Sequence, residues 1–373
     1  MSKFRYVVQA EDEGLQIKSL LRKHFNFSSR MMTKIKNNDL VSLNGEKMPG
    51  WIVPVVGDII EIDLPEESSD FEPEDIPVKV VFEDDDLLII NKQPGIVVHP
   101  TMGQPNHTMA NALMKYMQDT GQSFKIRFVN RLDRDTSGLL IVAKNAYAQE
   151  ELTKQMKRGQ TSKCYTALLC GILEEDGTVD APIGRRDPLL VERGILPEEE
   201  GGFPSVTHYS VLDVARCEVL QLGKSVTSGL GDKGENLGFD RADLAEVYKG
   251  LDALGVAKLL GRKEAAICEG VTLADIRLET GRTHQIRVHM GSLGHHVVGD
   301  TLYGGVLGSI GPDGTFEPLI ERQALHARYL SFNHPVTGQR MELEAELPDD
   351  IQNLIYALGS MMEAPEQEGN FYG

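Results

Sequence analysis

A run of alternating charges, Arg131-Leu-Asp-Arg-Asp, stands directly before Thr136-Ser-Gly and the apolar segment 139–143. Charges beside a buried strand need solvent or one another, because an unpaired buried charge is costly. A carboxylate held among guanidinium groups at the end of a strand can be kept ionised and oriented for nucleophilic or acid–base chemistry. The alternative is a polar turn with a surface ion pair. The pattern leaves two candidate carboxylates, Asp133 and Asp135.

Other residues that often bind metals or cofactors lack the spacing that such sites use. The histidines at 284, 289, 295 and 296 fit neither the HExxH motif nor a Cys/His zinc pattern, and the four cysteines form no CxxC pair. Neither a GxGxxG fingerprint nor a Walker loop occurs, so there is no sign of a dinucleotide or a P-loop nucleotide. The spacing therefore gives no sign of a metal site or of either nucleotide-binding loop.

The charged run lies within residues 81–350, whose pattern predicts a strand-rich α+β domain. Its expected elements are strands at 87–92 and 163–171, helices after Thr108 and over 146–158, a strand, turn and helix over 274–289, and a hairpin around 333–338. The strand at 163–171 alternates and is expected to be half-buried. These elements must position the charged run.

A compact unit of two short helices and small strands is predicted at residues 1–64. An apolar stripe at helical spacing marks the first helix within 14–25, and Ser28 can cap a second helix. The second helix carries the cations Arg30, Lys34 and Lys36. Cations can follow a nucleic-acid backbone without reading its sequence. The alternative is a structural helical cap with a solvated charged face.

The net charge of −18 is unevenly distributed and does not exclude a nucleic-acid partner. Residues 1–50 hold nine Lys and Arg against five Asp and Glu, whereas residues 57–88 hold thirteen acids against one lysine. We interpret residues 65–80 as a flexible acidic linker and residues 351–373 as an acidic tail. The basic surface is therefore local.

The length of 373 residues predicts a sizeable core and two domains. Residues 1–30 contain no apolar signal segment, and no run of eighteen apolar residues occurs, so we expect neither secretion nor a membrane span. The absence of a disulfide framework agrees with this. The sequence predicts a soluble cytoplasmic protein.

Five short blocks in order make the chain similar to the RluA/RluD family of RNA pseudouridine synthases. The blocks are Asn91-Lys-Gln-Pro-Gly-Ile-Val-Val-His-Pro, Arg131-Leu-Asp-Arg-Asp-Thr-Ser-Gly, Lys163-x-Tyr-x-Ala-x-x-x-Gly, Gly281-Arg-Thr-His-Gln-Ile-Arg-Val-His-Met and Gly299-Asp-x-x-Tyr-Gly. One block alone would be weak evidence, but five with sensible gaps are specific, and the likeness covers nearly the whole sequence outside one insertion. The N-terminal unit resembles the small RNA-binding module first named for a ribosomal small-subunit protein.

The resemblance implies a fold and a chemistry. The fold is α+β: a mixed, mostly antiparallel sheet forms the catalytic domain, preceded by a small α+β RNA-binding domain. The chemistry breaks the bond from ribose to the uracil ring nitrogen, rotates the base and rebonds the sugar to a ring carbon. Because this involves neither redox change nor phosphate transfer, the resemblance implies that no cofactor and no metal is needed. One carboxylate acts at the sugar, as a nucleophile on the anomeric carbon or as a base that yields a glycal.

The resemblance also implies roles for individual residues. Asp133 matches the catalytic aspartate, and Asp135 is the internal competitor with a structural role in the turn. Arg287 matches the arginine that pairs with this aspartate. Tyr165 matches the tyrosine that stacks on the target base and is a candidate for removing the proton from the ring carbon. Arg131 matches an arginine that enters the gap left by the flipped nucleotide.

Further RNA contacts are expected at two places. In the fourth block we predict RNA contacts from Arg282 and His284. For His284 and His289 we expect either a hydrogen bond within the helix or an approach to RNA phosphate. On the second N-terminal helix we predict contacts from Arg30, Lys34 and Lys36.

The chain departs from the family pattern at two places. Most relatives begin the central motif with histidine, whereas this chain has Asn130, so the hydrogen bonds that position the loop are expected to differ. An insertion over about 222–270 contains a predicted amphipathic helix at 240–254. It is interpreted as a tolerated surface insertion or, alternatively, as a substrate-selecting or partner-docking element.

The sequence therefore predicts a monomeric enzyme that isomerises specific uridines in RNA, with large-subunit ribosomal RNA as the expected substrate and transfer RNA as the alternative. The competing hypothesis is a catalytically silent RNA-binding or ribosome-assembly factor with the same fold. A third hypothesis is glycosidase-like chemistry on a nucleoside. The basic N-terminal unit argues against the third, because a free nucleoside needs no phosphate-binding surface.

Overall fold

The computed structural model describes residues 3–25, 27–64, 67–101, 103–187, 189–222, 265–310 and 316–360. Within these ranges the chain forms six α-helices and eighteen strands, which group into an N-terminal unit and a larger sheet domain. None of the helices in these ranges is long and apolar enough to cross a membrane.

The N-terminal unit contains two helices and four short strands. Its elements are β1 (Lys3–Val7), α1 (Ile17–Phe25), α2 (Ser29–Asn37), β2 (Val41–Leu43), β3 (Glu46–Lys47) and β4 (Ile59–Asp63). The strands form an antiparallel sheet in the order β1-β4-β2-β3, and β1 was not predicted. Ile17, Leu20 and Leu21 are buried, which confirms the apolar stripe. Ser28 caps α2 by accepting a hydrogen bond from the Met31 N–H, as the sequence predicted.

The sheet domain contains the remaining strands and four helices. Its strands are β5 (Lys79–Glu83), β6 (Leu87–Lys92), β7 (Arg127–Phe128), β8 (Ser137–Ala143), β9 (Ser162–Cys170), β10 (Gly177–Asp180), β11 (Ile183–Gly184), β12 (Gly194–Ile195), β13 (Val206–Leu222), β14 (Ala265–Leu278), β15 (Val306–Ile310), β16 (Phe316–Pro318), β17 (Leu325–Asn333) and β18 (Arg340–Glu344). Its helices are α3 (Met109–Thr120), α4 (Ala146–Lys157), α5 (Gln285–Ser292) and α6 (Asp349–Ser360). The helices and strands predicted for this domain are present, but β14 begins at Ala265, nine residues before the predicted start at 274.

Twelve strands join in one mixed sheet, with the main order β16-β15-β13-β14-β9-β17-β8-β6-β5. Among the pairings between these strands only that of β17 with β8 is parallel, so the mixed, mostly antiparallel α+β fold is confirmed. Gly138 lies at this parallel pairing with φ of 113°, and a Cβ there would come within 2.3 Å of the Ala327 carbonyl oxygen. Glycine therefore allows β8, which follows the charged run, to reach the centre of the sheet.

Strand β9 is buried more completely than its alternating sequence predicted. Residues 165–170 are all buried, because β9 lies between β14 and β17 with side chains packed on both of its faces. Tyr165, Ala167 and Leu169 belong to one core cluster, whereas Leu168 and Cys170 belong to another. The half-buried assignment is therefore corrected to a central strand covered on both faces.

The N-terminal unit packs against helix α4 of the sheet domain. The Tyr147 ring lies 4.7 Å from that of Phe4 and 5.2 Å from that of Phe27, both edge-on. The Ser28 hydroxyl also donates to the Glu150 carboxylate at 2.7 Å. Tyr147 thus belongs to the core cluster of the N-terminal unit.

Two acidic segments are more ordered than the sequence predicted. Glu67, within the expected flexible linker, pairs with Lys34 and Arg127, and Ile76 is buried in the core. The expected tail also requires correction, because residues 351–360 belong to α6. Ile351, Leu354 and Leu358 of that helix are buried, at a helical spacing that the acidic composition obscured.

The insertion begins and ends in paired strands. Leu222 at the end of β13 pairs with Ala265 at the start of β14, so residues 265–270 belong to the sheet and not to the insertion. The predicted helix at 240–254 lies outside the described residues.

Candidate active site

Asp133 and Arg287 meet in the lining of a pocket in the sheet domain. Asp133 lies in the turn before β8, which the Thr136 N–H closes by donating to the Asp133 carbonyl. Arg287 lies in α5, and its Nη1 is 3.3 Å from the Asp133 carboxylate. The side chains are 18% and 7% exposed, respectively. The carboxylate therefore faces a pocket while one of its oxygens is bound by a cation.

Arg287 is held by a second carboxylate behind it. Its Nε and Nη2 donate to the two oxygens of the fully buried Asp300 at 2.6 and 2.8 Å. Asp300 also accepts from the backbone N–H groups of Leu302 and Tyr303. Burial disfavours the charge on Arg287, but the bonds to Asp300 and the charges of both carboxylates raise its pKa above the ordinary value. Arg287 is therefore a fixed cation with one donor turned toward Asp133.

The turn that carries Asp133 is anchored by two buried basic side chains. The fully buried Lys92 donates from Nζ to the carbonyls of Arg134, Gln93 and Ile96 at 2.8 to 2.9 Å. Burial lowers its pKa to about 7, and the charges of the nearby aspartates oppose that effect. Arg322 donates to the Asp135 carbonyl at 3.0 Å. The backbone on the C-terminal side of Asp133 is thereby tied to β6 and to the segment before β17.

Asn130 anchors the turn on its other side. Its Nδ2 donates to the Leu139 carbonyl at 3.1 Å, and its Oδ1 accepts from the Ile141 N–H at 2.8 Å. The side-chain amide thus pairs with β8 as a neighbouring strand would. Asn130 supplies a firm attachment for the loop where most relatives are expected to have histidine.

Tyr165 presents its ring to the same pocket. It lies in β9 opposite Ile276 of β14 and is almost fully buried. Burial, and then the charge of Asp133, raise the pKa of its phenol above the ordinary value. The hydroxyl is therefore protonated at neutral pH.

His284 lies on the other side of Asp133, at the residue before α5, and has a left-handed backbone with φ of 57°. Its Nε2 is 3.9 Å from the Asp133 carboxylate, and its Nδ1 is 2.9 Å from the Tyr303 hydroxyl. That hydroxyl accepts from the Arg193 N–H, which leaves its own proton for His284 Nδ1. Burial lowers the pKa of His284 to about 4, against the opposing effect of Asp133. The neutral ring can therefore direct its Nε2–H toward Asp133.

The pocket brings together most of the predicted site residues. Its lining includes Arg131, Asp133, Tyr165, Arg282, His284 and Arg287. A neighbouring pocket shares the exposed Arg131 and Arg282 and adds Arg193 and Phe203, with the Arg282 guanidinium 5.4 Å from the Phe203 ring centre. An aromatic ring and several cations thus lie beside the pocket that contains the carboxylate. Arg30, Lys34 and Lys36 do not line it and lie on α2.

Several residues that build the site were not identified from the sequence. Asp300 and Tyr303 stand in the fifth block and Lys92 in the first, so their motifs were visible but their roles were not. Buried Gln285 fixes the turn before α5 by accepting from the Thr280 hydroxyl and the Arg282 N–H. His289, expected within the helix or near RNA, is instead buried and bonded to Thr207 and the Ala181 carbonyl.

A cluster of Asp84, Asp86 and His334 lies elsewhere in the sheet domain, with side-chain atoms within 4.8 Å of one another. The His334 Nδ1 accepts from the backbone N–H groups of Val336 and Thr337. The ring proton must then be on Nε2, which lies 2.8 Å from the Asp84 carboxylate. A protonated Nε2 cannot ligate a metal, so the cluster fits a hydrogen-bonded hairpin anchor.

Known proteins are similar in sequence to this chain over most of its length. A family model described as RNA pseudouridylate synthase matches residues 86–292. The RNA pseudouridine synthase YjbO of Bacillus subtilis, itself described as uncharacterized, is 34% identical over 333 residues, with 88% of this chain and 94% of that protein covered. The ribosomal large subunit pseudouridine synthase D of Haemophilus ducreyi is 33% identical over 362 residues, covering 94% and 93%. The solved human RNA pseudouridylate synthase domain containing 4 is 17% identical, with a TM-score of 0.48 and coverage of 75% and 92%.

Proposed function

The chain belongs to the RNA pseudouridylate synthase family and is an RNA pseudouridine synthase, and on this premise we propose that Asp133 is its catalytic carboxylate and that large-subunit ribosomal RNA is its substrate. The observation that carries the assignment of Asp133 is its ion pair with Arg287 in a pocket that Tyr165 also lines. Among the described residues lining that pocket, Asp133 is the sole carboxylate.

The reaction is an isomerisation, so every atom of the uridine is retained. The bond between C1′ and N1 breaks while Asp133 attacks C1′, or removes the C2′ proton to give a glycal. The freed uracil turns within the pocket and forms a bond from C5 to C1′. On the first route the attack by C5 displaces Asp133 from C1′, and on the glycal route Asp133 returns its proton to C2′, so that the carboxylate is restored. The proton then leaves C5, and N1 gains a proton. Arg287 keeps the Asp133 carboxylate oriented throughout, because Asp300 holds the guanidinium from behind.

Tyr165 is proposed to contact the base and to pass on the C5 proton. Since its pKa is raised and its phenol is protonated at rest, the oxygen can take a proton only as its own proton passes elsewhere. Asp133 lines the same pocket as Tyr165, and its charge acts on this phenol, so we assign it as the acceptor. Asp133 then passes the proton to N1, which restores the carboxylate. This two-proton exchange agrees with the stacking and proton-removal roles that the family resemblance implied.

RNA is proposed to present the uridine outside its helix or loop, because Asp133 lies in a pocket whose lining includes residues of β9, β14 and β17. Extruding a nucleotide costs a few kcal/mol. Arg131, exposed where the two pockets meet, is proposed to fill the gap that the nucleotide leaves. Arg282 and Phe203 are proposed to contact neighbouring nucleotides through a guanidinium paired with an aromatic ring. His284 is proposed to contact Asp133 or the sugar rather than a phosphate, because its ring is neutral and partly buried.

The choice of ribosomal RNA is supported by the relative from Haemophilus ducreyi, whose name gives that substrate and which aligns with 94% of this chain. We also propose that residues 1–64 form an RNA-binding domain, with Arg30, Lys34 and Lys36 on its second helix. Lys34 is less available than expected, because it pairs with Glu67. A cytoplasmic monomer remains our proposal, in keeping with four free cysteines.

The silent-factor hypothesis rested on Asn130, and the structure gives it no support. The Asn130 amide anchors the loop at two points, so the departure from histidine does not leave the carboxylate unsupported. The proposed substrate is tested by mapping pseudouridine in ribosomal and transfer RNA with carbodiimide adducts. We expect a site in large-subunit RNA that disappears without the gene and returns with wild type but not with Asp133→Asn. Loss of a site only in transfer RNA would refute the ribosomal substrate.

A further inference from the structure

We propose that a groove on the N-terminal unit binds single-stranded RNA, with a base stacked on Trp51 and phosphates held by Lys18, Arg22 and Lys36. The groove lies between α1, α2 and the turn at 48–51, and we call it the Trp51 groove. The proposal rests on RNA being the substrate class, and it adds a contact outside the pocket that contains Asp133. None of Lys18, Arg22 and Trp51 was predicted from the sequence to bind RNA.

Trp51 is the single tryptophan of the chain, and its side chain is 65% exposed. A large aromatic ring left in water loses the contacts that it makes when it is buried or stacked. A nucleobase provides a flat partner of similar size, and such stacking tolerates any base because every base has a π-face. The exposure of Trp51 therefore fits a ligand that covers the ring only when it is bound.

The turn that carries Trp51 is held firmly against helix α1. The N–H of Ile17 donates to the Ile52 carbonyl at 2.9 Å, and that of Lys18 donates to the Gly50 carbonyl at 2.8 Å. The Ile52 N–H also donates to the Pro49 carbonyl. Trp51 thus stands on a backbone fixed at both neighbouring residues. A platform fixed in advance binds a base at a smaller entropic cost than a mobile loop would.

Three cations line the groove with the tryptophan. Lys18, Arg22 and Lys36 are exposed, and none of them has a carboxylate partner among the described residues. In contrast, the neighbouring Lys23 pairs with Asp12, and Lys34 pairs with Glu67. Asp39 is the one carboxylate among the described lining residues. The groove therefore provides a local excess of positive charge in a chain whose net charge is −18.

One side of helix α2 contacts the sheet domain, and another side lines the Trp51 groove. Ser28, its cap, bonds to Glu150 of α4, and Lys34 pairs with Glu67, so this side holds the N-terminal unit to the sheet domain. Met32, Thr33 and Lys36 line the groove instead. RNA could therefore occupy the groove without breaking the docking contacts. The charge excess favours a polyanion over an apolar protein partner.

Because Trp51 is the single tryptophan, its fluorescence tests the proposal directly. The full-length protein is titrated with a single-stranded oligoadenylate of about ten nucleotides, a length typical of such sites, which contains no uridine to isomerise. Binding is followed in parallel by the anisotropy of a labelled copy. We expect the tryptophan emission to be quenched over the same RNA concentrations that raise the anisotropy. An unchanged emission at saturating RNA would overturn the proposal.

Substitutions distinguish the contribution of base stacking to RNA binding from that of charge. We expect Trp51→Ala to weaken oligoadenylate binding roughly 5- to 100-fold and Trp51→Phe to keep it within about threefold. Lys36→Ala should reduce the salt dependence of log K by about 0.7 per lost phosphate contact. Lys47→Ala, an exposed lysine outside the groove, should change neither quantity. Equal binding by wild type and Trp51→Ala would refute the stacking role.

Two further outcomes separate this proposal from its premises. If wild-type protein forms pseudouridine in its RNA substrate but oligoadenylate leaves Trp51 unaffected, the groove is refuted and the proposed function stands. If RNA quenches Trp51 while Asp133→Asn remains active, the catalytic assignment fails and the groove stands. Light scattering that shows dimers dissociated by Trp51→Ala would identify a protein interface and overturn RNA binding.

Discussion

Asp300 binds two nitrogens of Arg287, at 2.6 and 2.8 Å, so that Nη1 alone is left to face Asp133 at 3.3 Å. A guanidinium can form two parallel bonds with a carboxylate, and this geometry fixes its plane as well as its position. The orientation of the proposed catalytic carboxylate therefore depends on a residue that does not line the pocket. Asp300 is a positioning residue in this account.

Replacing Asp300 should reduce turnover more than substrate binding. Asp300→Asn keeps the shape but loses the charge and one acceptor, which leaves Arg287 free to rotate. We expect kcat to fall about 10- to 100-fold, because small displacements of reacting groups have effects of this size, with KM within about threefold. The melting temperature should also fall, since breaking a buried ion pair is destabilising. The control is Asp275→Asn, which breaks the partly exposed pair with Arg328 and should leave kcat unchanged.

Asn130 should be required for the position of the turn rather than for the chemistry. Asn130→Ala removes both bonds to β8, to the Leu139 carbonyl and the Ile141 N–H. We expect about a tenfold or greater loss of kcat, with RNA affinity measured by anisotropy unchanged. Asn38→Ala, at the end of α2, serves as the control. A variant as active as wild type would show that the amide does not position Asp133.

The ring and the hydroxyl group of Tyr165 should make separate contributions to activity. Tyr165→Phe keeps the ring in the pocket but removes the group proposed to pass on the C5 proton. We expect kcat to fall at least about 100-fold, the usual size of a general-acid or base contribution, while KM changes little. Tyr165→Ala should also raise KM, because the ring contact is lost. Tritium release from C5-labelled RNA measures the step directly, and full activity of the phenylalanine variant would exclude a proton role.

Acid should destabilise the fold between about pH 6.5 and pH 4. Burial lowers the pKa of His284 and of His326 to about 4, while the unfolded chain protonates near 6.5. Over this interval the unfolded state binds more protons, so stability is full above 6.5 and decreases as the pH falls toward 4. Each histidine can contribute up to about 3 kcal/mol at roughly 1.4 kcal/mol per pKa unit.

Urea unfolding at several pH values measures this dependence. We expect His326→Asn to lower stability at pH 7, because it disturbs the bonds to Ser137 and the Ala345 carbonyl, and to flatten the slope. His107→Gln, at an exposed histidine, should leave the slope as in wild type. A wild-type stability that does not change between pH 7 and pH 4.5 would contradict the neutral, buried state of both rings.

Local motifs in the sequence selected residues that the fold brings together. Asp133, Tyr165 and Arg287 were each selected within a short block, and the fold places all three around one pocket. The two hydrogen bonds between Arg287 and Asp300 were not predicted, because a contact between a helix and a loop depends on tertiary geometry. Lys92 was overlooked because lysine is seldom fully buried, and its three carbonyl partners become visible only in the fold.

Amino-acid composition predicted local structure less reliably than the short motifs did. The acidic residues of 65–80 and 351–373 suggested a linker and a tail, yet Ile76 and Leu354 are buried in the sheet domain. A few apolar residues at the right spacing were enough to fix these segments, whatever the surrounding charge. The same limitation applies to β9, whose alternation suggested one solvated face until its two neighbours in the sheet were known.

The most direct test of the account compares Asp133→Asn with Asp135→Asn in a purified pseudouridine-formation assay. The two carboxylates are two residues apart, but only Asp133 lines the pocket and pairs with Arg287. We predict that Asp133→Asn loses at least about 10⁴-fold in kcat, as for other essential active-site groups, with an unchanged melting temperature. Asp135→Asn should remain within about threefold of wild type. Substantial turnover by Asp133→Asn, or loss of activity in Asp135→Asn alone, would contradict the assignment of the catalytic carboxylate.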